Sequence, residues 1–537
     1  MPMSPFAREI MQKRYCHEGE TSWRQIAKRV ARNVLGAVNA PKDLVRECEE
    51  LIALRKFMPG GRYLAAAGRE AHQTQNCFLL RAEDTRQGWA DVMHNVTMIT
   101  MTGGGVGVDY SNLRGKGIPL KRAGGYSSGP LALMQMVNEA GRGAMAGGSR
   151  RAAIWAGLRW DHPDILDFIR MKDWPVAVRA LKDQDFNFPA MMDFTNISVG
   201  LNDGFLAKYQ ADIGSAREVW RLALRLMLET AEPGFSIDVG EDAEENLRNP
   251  CTEITSRDDS DTCNLGSINL ARIKDLGEMR KAVEVGTAFL LAGTVYSDVP
   301  YPKVAEVRAK NRRLGLGIMG FHEWLLMNGK KYGPDPKLER FLEAYATSTA
   351  TAAAYADKWG LSAPVKTRAL APNGTIGIVA ETTTGIEPIF CAAYRRRYFD
   401  RGVWRAQYVL DPAAKRLVAE GISPDAIEDA YILAADVERR VTFQAWVQKY
   451  VDHAISSTIN LPAWGSDLNN QDKVKDFGDM LMRYLPQLRG LTCYPDGARG
   501  GQPLERVDFR EALEREGEVV TEQADVCDLR AGGSCGS

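Results

Sequence analysis

Three features of the 537-residue chain predict an α/β fold. From about residue 66 to residue 505, short apolar runs alternate with stretches of helical periodicity, as expected of helices covering a sheet or barrel. A purely helical region, residues 1–65, precedes them. No run of about 18 apolar residues occurs, so no membrane span is expected.

The elements follow in order. "SWRQIAKRVARNVLGAV" and "DLVRECEELIALRKF" carry apolar residues at helical spacing. "MPGGRYLAAAG" then breaks the pattern with Pro59, Gly60 and Gly61. "QNCFLLRAED" reads as a strand, "TRQGWADVMHNVTMIT" as a helix and "GGGVGVDYSNL" as a strand again. "GPLALMQMVNEAGRGAM" continues as a helix and "RRAAIWAGLRW" as a strand. No internal repeat or low-complexity tract interrupts this alternation. The chain ends in "CDLRAGGSCGS", Gly-rich and polar, so residues 506–537 are expected to form a flexible tail.

The composition, 45% hydrophobic and 26% charged, is that of a soluble globular protein. A formal net charge of -1 gives no general attraction to nucleic acid or membrane, so neither is an expected partner. Any polyphosphate must be held by local clusters. The first twenty residues are charged throughout and lack an apolar signal-peptide core, which points to a cytoplasmic protein. In that compartment a reactive pair among the nine cysteines reads as redox-catalytic rather than as a structural staple. No Cys-x-x-Cys occurs and the six histidines are scattered, so no metal site is expected.

Three Gly-rich stretches and one hexapeptide invite chemistry. "GLGIMG" (315–320) matches a dinucleotide fingerprint, but charged "AKNRRL" precedes it and no acid-tipped second strand follows. Close helix packing is the expected reason for its glycines. In "APNGTIG" (371–377) backbone N–H groups and a hydroxyl could cradle phosphate, or the segment is a plain strand-entry turn. "GGSRR" (147–151) sets Arg150 and Arg151 behind glycines, as a phosphate loop or a solvated surface loop. In "NPCTEI" (249–254) an extended backbone would turn Asn249, Cys251 and Glu253 to one side. That groups an amide, a thiol and a carboxylate, although a Pro250-fixed loop with a merely buried cysteine satisfies the same letters.

These pieces occur in one order with others: "MPGGR", "NCFLL", "GGGVGVDYSNLRGKG", "SGPLALMQM", "RRAAIWAGLRWDHPDILDFI", "TNISV", "EPGFSID", "NPCTEI", "CNLGSINL", "NRRLGLGIMGF", "APNGTIGIVAETTTGIEPIF", "INLP" and "YPDGARGGQPLERV". From about residue 57 to 505 the chain resembles the ribonucleotide reductases, most closely the class II, adenosylcobalamin-dependent type in a compact form without an ATP-cone. The resemblance implies a ten-stranded α/β barrel with a central finger loop and "NPCTEI" at the finger tip. It implies that Cys251 becomes a thiyl radical and removes the ribose 3′ hydrogen. Asn249 would bind the ribose hydroxyls, and Glu253 would take the 3′-OH proton as the 2′-OH leaves. Thr252, where relatives often have a smaller residue, is expected to point away from Asn249 and Glu253. Cys77 and Cys263 would reduce the substrate radical and become a disulfide. Cys527 and Cys535 would reopen that disulfide and accept electrons from a thioredoxin or glutaredoxin-like reductant; their spacing is wider than the Cys-x-x-Cys of many relatives. Cys16, Cys48, Cys391 and Cys493 remain as structural residues.

The resemblance also implies nucleotide sites. Pro59 and Gly60, with Arg62 nearby, and Asn373, Gly374, Thr375 and Ile376 would hold the phosphates of a ribonucleoside diphosphate or triphosphate. Asp84 and Arg114 would bind a dNTP specificity effector, Arg150 and Arg151 would relay its identity, and a homodimer is expected. The radical source is read by comparison of classes. No adjacent tyrosines supply a class I relay, and no class III glycyl-radical segment or four-cysteine zinc site is visible. That leaves adenosylcobalamin, although no segment marks its site. Nothing of ATP-cone length precedes the helical region, so inhibition by dATP through such a domain is not expected. The alternatives are a class I-like catalytic subunit needing a separate radical-generating subunit and a nonenzymatic nucleotide-binding regulator. The second would be expected to lose catalytic positions, yet Cys77, Asn249, Cys251, Glu253 and Cys263 are all present.

Overall fold

The computed structural model describes residues 3–121, 124–146, 150–151, 153–184, 188–400, 403–498 and 504–521. Three helices open it: α1 (Pro5–Arg14), α2 (Trp23–Gly36) and α3 (Lys42–Ala53). Helix α2 begins in a capping box in which Ser22 and Gln25 satisfy each other's backbone N–H groups. Its stripe of Ile26, Val30, Ala31 and Val34 is fully buried against α3 and the long helix α4 (Leu276–Tyr296). No helix among the described residues is long and apolar enough to cross a membrane.

Ten strands form the main sheet: β1 (Phe57–Pro59), β2 (Cys77–Arg81), β3 (Gly105–Asp109), β4 (Ile154–Arg159), β5 (Thr195–Asn202), β6 (Gly234–Asp238), β7 (Asp261–Asn269), β8 (Leu314–Met319), β9 (Thr458–Leu461) and β10 (Gly490–Pro495). The order is β1-β7-β2-β3-β4-β5-β6-β10-β9, with β8 on the other edge of β7. Strands β2 to β6 run parallel, as do β7 with β8 and β9 with β10. The two sets meet antiparallel at two short seams. At one, Asp261–Cys263 lie opposite Cys77–Leu79; at the other, Gly490 and Leu491 lie opposite Ser236 and Phe235. From β8 toward β9, single-residue bridges replace a ladder: Leu316 with Arg368 and Leu370 with Ile455. The ten strands implied by the resemblance are present.

Strands β7 and β8 are buried along their whole length; β8 reads as an apolar run spaced by glycines, whereas β7 buries Asp261, Thr262, Asn264, Ser267 and Asn269 among its apolar residues. Alternation divides β2: Phe78 and Leu80 face the outer core, whereas Cys77 and Leu79 face inward with Cys263, Leu265, Ala369 and Ala371. Leu247 and Ile254, from the loop between β6 and β7, complete this inner cluster. The "GLGIMG" glycines differ from expectation. Gly315 and Gly317 lie within strand β8, where an added Cβ would fall 2.4 Å from the Leu265 side chain or 2.8 Å from the Ala369 carbonyl oxygen. Close approach of strand and inner-face neighbours requires them, not helix packing.

The tail boundary expected at residue 506 falls inside a small antiparallel sheet. Strands Leu504–Arg506 and Val519–Thr521 flank the hairpin Ala393–Asp400/Val403–Leu410, with helix Phe509–Glu514 between them. Cys527 and Cys535 lie outside the described residues.

A buried ion network fixes the loop that enters the sheet interior. Arg313, 1% exposed, donates from both Nη atoms to Glu245 (3.0 and 2.7 Å) and from Nε to Asp261 (2.6 Å). Lys366 approaches Glu245 at 3.2 Å and Asp242 at 2.9 Å, and the Thr255 hydroxyl donates to Glu245 at 2.8 Å. Removing one partner strands the others in a medium that cannot solvate them. Arg313→Met should therefore lower stability by about 3–5 kcal/mol, measured by urea unfolding. A loss near zero would show that the network does not hold the loop.

Candidate active site

Between β6 and β7 the chain forms a finger: a two-residue ladder, Leu247–Arg248 with Thr255–Ser256, bearing residues 249–254 at its tip. The finger passes so close to β3 that a Cβ on Gly107 would lie 1.8 Å from the Arg248 carbonyl oxygen. At Gly105 a Cβ would meet the Pro250 ring at 2.9 Å. Glycine in these strand positions is what admits a second backbone. The other side is pinned by His453, whose Nδ1 accepts from the Thr255 N–H at 3.1 Å, and by the Ala454 N–H, which donates to the Glu253 carbonyl at 2.9 Å. Burial, then Lys366 and nearby arginines, holds the His453 pKa far below its ordinary value, so the ring is a neutral acceptor.

The tip is not extended, contrary to expectation. The Thr252 N–H donates to the Asn249 carbonyl at 3.0 Å, closing a turn, and Thr252 has a left-handed φ of 66°. The turn rather than strand alternation gathers the three side chains. Asn249 Nδ2 donates to Cys77 Sγ at 3.0 Å, and Cys77 Sγ lies 3.8 Å from Glu253 Oε1. Asn249 Oδ1 is itself held by the Ile254 N–H at 2.9 Å. Thr252 turns toward Gly490 and does not border the cavity, the outward direction expected of it.

Cys77, Asn249, Cys251 and Glu253 border one cavity of about 250 Å³. Cys263 stands directly opposite Cys77 across the β2–β7 ladder, fully buried behind it. Directly opposed residues of an antiparallel pair have Cα atoms about 4.5–5.5 Å apart, within reach of a disulfide. Both thiols are free in this structure. Burial, then Glu253 and the neighbouring cysteines, pushes the Cys77 thiol up; burial and Asp261 do the same to Cys263. Both are thus kept protonated, as hydrogen donors rather than thiolates. Burial raises the Glu253 carboxyl to about 7 against the opposing hydrogen bond from Asn249.

The opposite wall holds the expected phosphate segments. Asn373, in the left-handed region at φ 52°, donates its Nδ2 to Ser267 Oγ at 2.8 Å and opens the short helix α5 (Gly374–Ala380). "APNGTIG" is therefore a helix start, not a strand entry. Asn373, Gly374, Thr375 and Ile376 all border the cavity, as do Gly60 and Arg62. The Gly60 N–H donates to the Leu265 carbonyl at 2.8 Å, and a Cβ there would lie 2.7 Å from the same oxygen. Pro59 is a correction: it sits in β1 opposite Gly266 and does not reach the cavity. Asp84 and Arg114 meet as an ion pair (2.7 Å) outside the cavity. Arg150–Arg151 form a two-residue strand paired with Met145–Ala146.

Sequence reasoning missed Asn76, although it opens the "NCFLL" motif. Its Oδ1 and Glu253 Oε2 are buried without partners at the cavity, two acceptors that hydroxyl groups of a ligand would satisfy. It also missed Gly107, whose signal is a glycine inside an apolar strand.

A family model described as "Ribonucleotide reductase, barrel domain" matches residues 75–223, 208–358 and 365–487, and one described as "Ribonucleotide reductase, all-alpha domain" matches residues 1–72. The chain belongs to the ribonucleotide reductase family. It is similar to a protein named vitamin B12-dependent ribonucleoside-diphosphate reductase from Mycobacterium tuberculosis, 27% identical over 515 residues that cover 84% of this chain and 71% of the relative. A protein of the same name from Thermoplasma acidophilum is 26% identical, over 86% of this chain and 66% of its own. A Mycobacterium phage D29 protein, named for adenosylcobalamin-dependent ribonucleoside-triphosphate reduction, is 27% identical over 79% of this chain and 71% of its own. Within this reductase the finger places one half-buried thiol, Cys251, beside an opposed and fully buried pair.

Mild oxidation of the folded reductase with diamide should join Cys77 to Cys263, while the buried Cys48 and Cys493 stay thiols, as read by peptide mass mapping. Cross-linking that bypasses this pair would contradict the observed ladder.

Proposed function

We propose that this reductase converts ribonucleoside diphosphates to deoxyribonucleotides with adenosylcobalamin as its radical source. The convergence of Cys251, Asn249, Glu253 and Cys77 on one cavity, with Cys263 opposite Cys77, carries the reading. The relatives named for vitamin B12 support the cofactor. The chain's own residues fit it: Cys251 is half-buried, and Gly104, Gly105, Ala153 and Pro250 beside it are small and uncharged, a surface that would hold a broad planar group. Adenosylcobalamin held there would supply the carbon radical that oxidises Cys251 to the thiyl.

Cys251, as a thiyl radical, removes the 3′ hydrogen and returns it at the end of the cycle. Glu253 as carboxylate takes the 3′-OH proton, and Asn249 holds the ribose hydroxyls. The 2′-OH leaves as water with a proton from the dithiol. Cys77 and Cys263 supply two electrons and finish as a disulfide, so ribonucleotide and dithiol become deoxyribonucleotide, disulfide and water. Burial serves each step by excluding water and by keeping the reducing thiols protonated. Gly60 and residues Asn373 to Ile376 hold the substrate phosphates. Cys527 and Cys535 carry electrons from a thioredoxin or glutaredoxin-like protein on a tail that follows the helical (1–65) and barrel (66–505) regions. Asp84 and Arg114, with Arg150 and Arg151, serve a dNTP effector in a homodimer.

Deoxynucleotide formation from CDP and CTP is the test, with adenosylcobalamin and dithiothreitol, with and without dATP. Cobalamin-dependent product, with CDP preferred, is expected. No product from either by folded, nucleotide-binding protein would overturn the cofactor reading and point to a separate radical-generating subunit. Because Glu253 acts ionised and its pKa is raised to about 7, the rate should fall as pH drops below about 7. Glu253→Gln should abolish that limb and reduce turnover by ~10²-fold or more.

A further inference from the structure

Among the described residues, Tyr15 is the one member of the helical region before β1 that borders the catalytic cavity. It is the C-cap of α1, and its place follows from how that helix lies. At the start of α1 the Ser4 N–H donates to the carboxylate of Glu381, the C-cap of α5, at 2.9 Å. Helix α1 packs against α5, so the two run antiparallel. Its ten residues, at about 1.5 Å each, carry the chain back past the seven of α5. Tyr15 therefore comes to the Gly374 end of α5, where both border the cavity.

The other phosphate segment shows which end of the ring is there. A Cβ on Gly61 would lie 3.2 Å from Tyr15 Oη, 3.7 Å from Cε1 and 3.9 Å from Cζ. The hydroxyl end of the phenol thus faces the Gly60–Gly61 turn, and glycine at position 61 leaves room beside it. The ring is 4% exposed and shares an apolar cluster with Met11 and Ile376, so its apolar body is occupied by packing. The backbone is held as firmly. Arg29 donates to the carbonyls of Tyr15 (3.0 Å), Leu64 (3.1 Å) and Ala67 (2.6 Å), and Glu20 anchors the same guanidinium at 2.8 and 3.0 Å. One side chain ties Tyr15 to the turn of helix that follows Gly60. A hydroxyl placed in this way loses little freedom when it meets a ligand.

The charge at this wall calls for such a donor. Among the described residues Arg62 is the one cation bordering the cavity, and its Nη2 is shared between the carbonyls of Gln73 (3.0 Å) and Thr102 (2.7 Å). A diphosphate here must be met largely by neutral N–H and O–H groups. We propose that Tyr15 is a substrate-specificity residue whose hydroxyl donates to the terminal phosphate of the ribonucleoside diphosphate. The ribose is held at the finger, so the phosphate farthest from it is the one that reaches the wall supplied by α1. A hydrogen bond to a charged oxygen is stronger than one to a neutral acceptor, which makes this contact a measurable part of substrate affinity. The assignment rests on the reading that Gly60 and residues 373–376 hold the substrate phosphates. The helical region then reads the length of the phosphate chain while the barrel carries the chemistry.

The test is calorimetric titration of the full chain with CMP and with CDP, dATP filling the expected effector site. Tyr15→Phe keeps the ring and its packing and removes only the hydroxyl. CDP affinity should fall about tenfold while CMP affinity holds, so the CDP-to-CMP ratio drops. A merely structural tyrosine would move both ligands together or neither, and either result would overturn the assignment. In turnover the loss should appear as a higher KM for CDP at unchanged kcat. A lower kcat at unchanged KM would overturn it as well. Thr375→Ala is the control for the wall. If that variant lowers the ratio and Tyr15→Phe does not, Tyr15 alone is overturned; if neither does, the phosphates lie elsewhere and both readings fall. Protein that shows the Tyr15-dependent ratio yet makes no deoxynucleotide would count against the catalytic reading and leave Tyr15 standing.

Discussion

The finger depends on Arg313 holding Glu245 and Asp261 together inside the protein. A polar loop inside a sheet would ordinarily leave its backbone and charged groups unsolvated. Here the stem carries carboxylates that meet Arg313 and Lys366 from elsewhere in the chain. Burial pushes Glu245 up, but Arg313 and Lys366 outweigh it, and the carboxyl is held below its usual range. A depressed carboxyl stabilises the fold above its unfolded pKa and loses that contribution as pH falls through the folded one. Acid should therefore loosen the stem before it melts the apolar cores.

A rigid stem allows a strained tip. Thr252, β-branched and left-handed, adopts a conformation that costs about 1–3 kcal/mol. Gly107 and Gly105 let the finger lie against β3 with no side chain between. The gain is placement: Asn249 and Glu253 meet at one buried thiol, Cys77. The same burial gives Glu253 a raised pKa and keeps Cys77 a thiol. One environment thus prepares a base and a hydrogen donor within 3.8 Å of each other.

Much of this was legible in the sequence where the signal is local. Short apolar runs gave the strands, helical periodicity gave α2, and ordered motifs gave the family and singled out Cys77, Asn249, Cys251, Glu253 and Cys263, which the structure brings to or directly behind one cavity. What local reasoning could not supply was geometry. Strand alternation was the wrong reason for grouping Asn249, Cys251 and Glu253, because the turn depends on Thr252 entering the left-handed region. Pro59 was misplaced because a motif does not say which of its residues face a cavity. Glu245, Asp261 and Arg313 carry no local signal, since buried ion partners far apart in sequence look like ordinary surface charges. The "GLGIMG" glycines were attributed to a helix because close approach by the inner-face neighbours of β8 is a tertiary fact.

Among the described residues, the two parallel sets of strands pair with each other at two seams, three residue pairs between β2 and β7 and two between β6 and β10. Cys77 and Cys263 form the last pair of the longer seam. On the proposed chemistry, every turnover stitches that seam and every reduction unpicks it. The dithiol is then a mechanical element as well as a reductant. The spent form of the protein is the braced one, and the form ready for substrate has the more pliant wall.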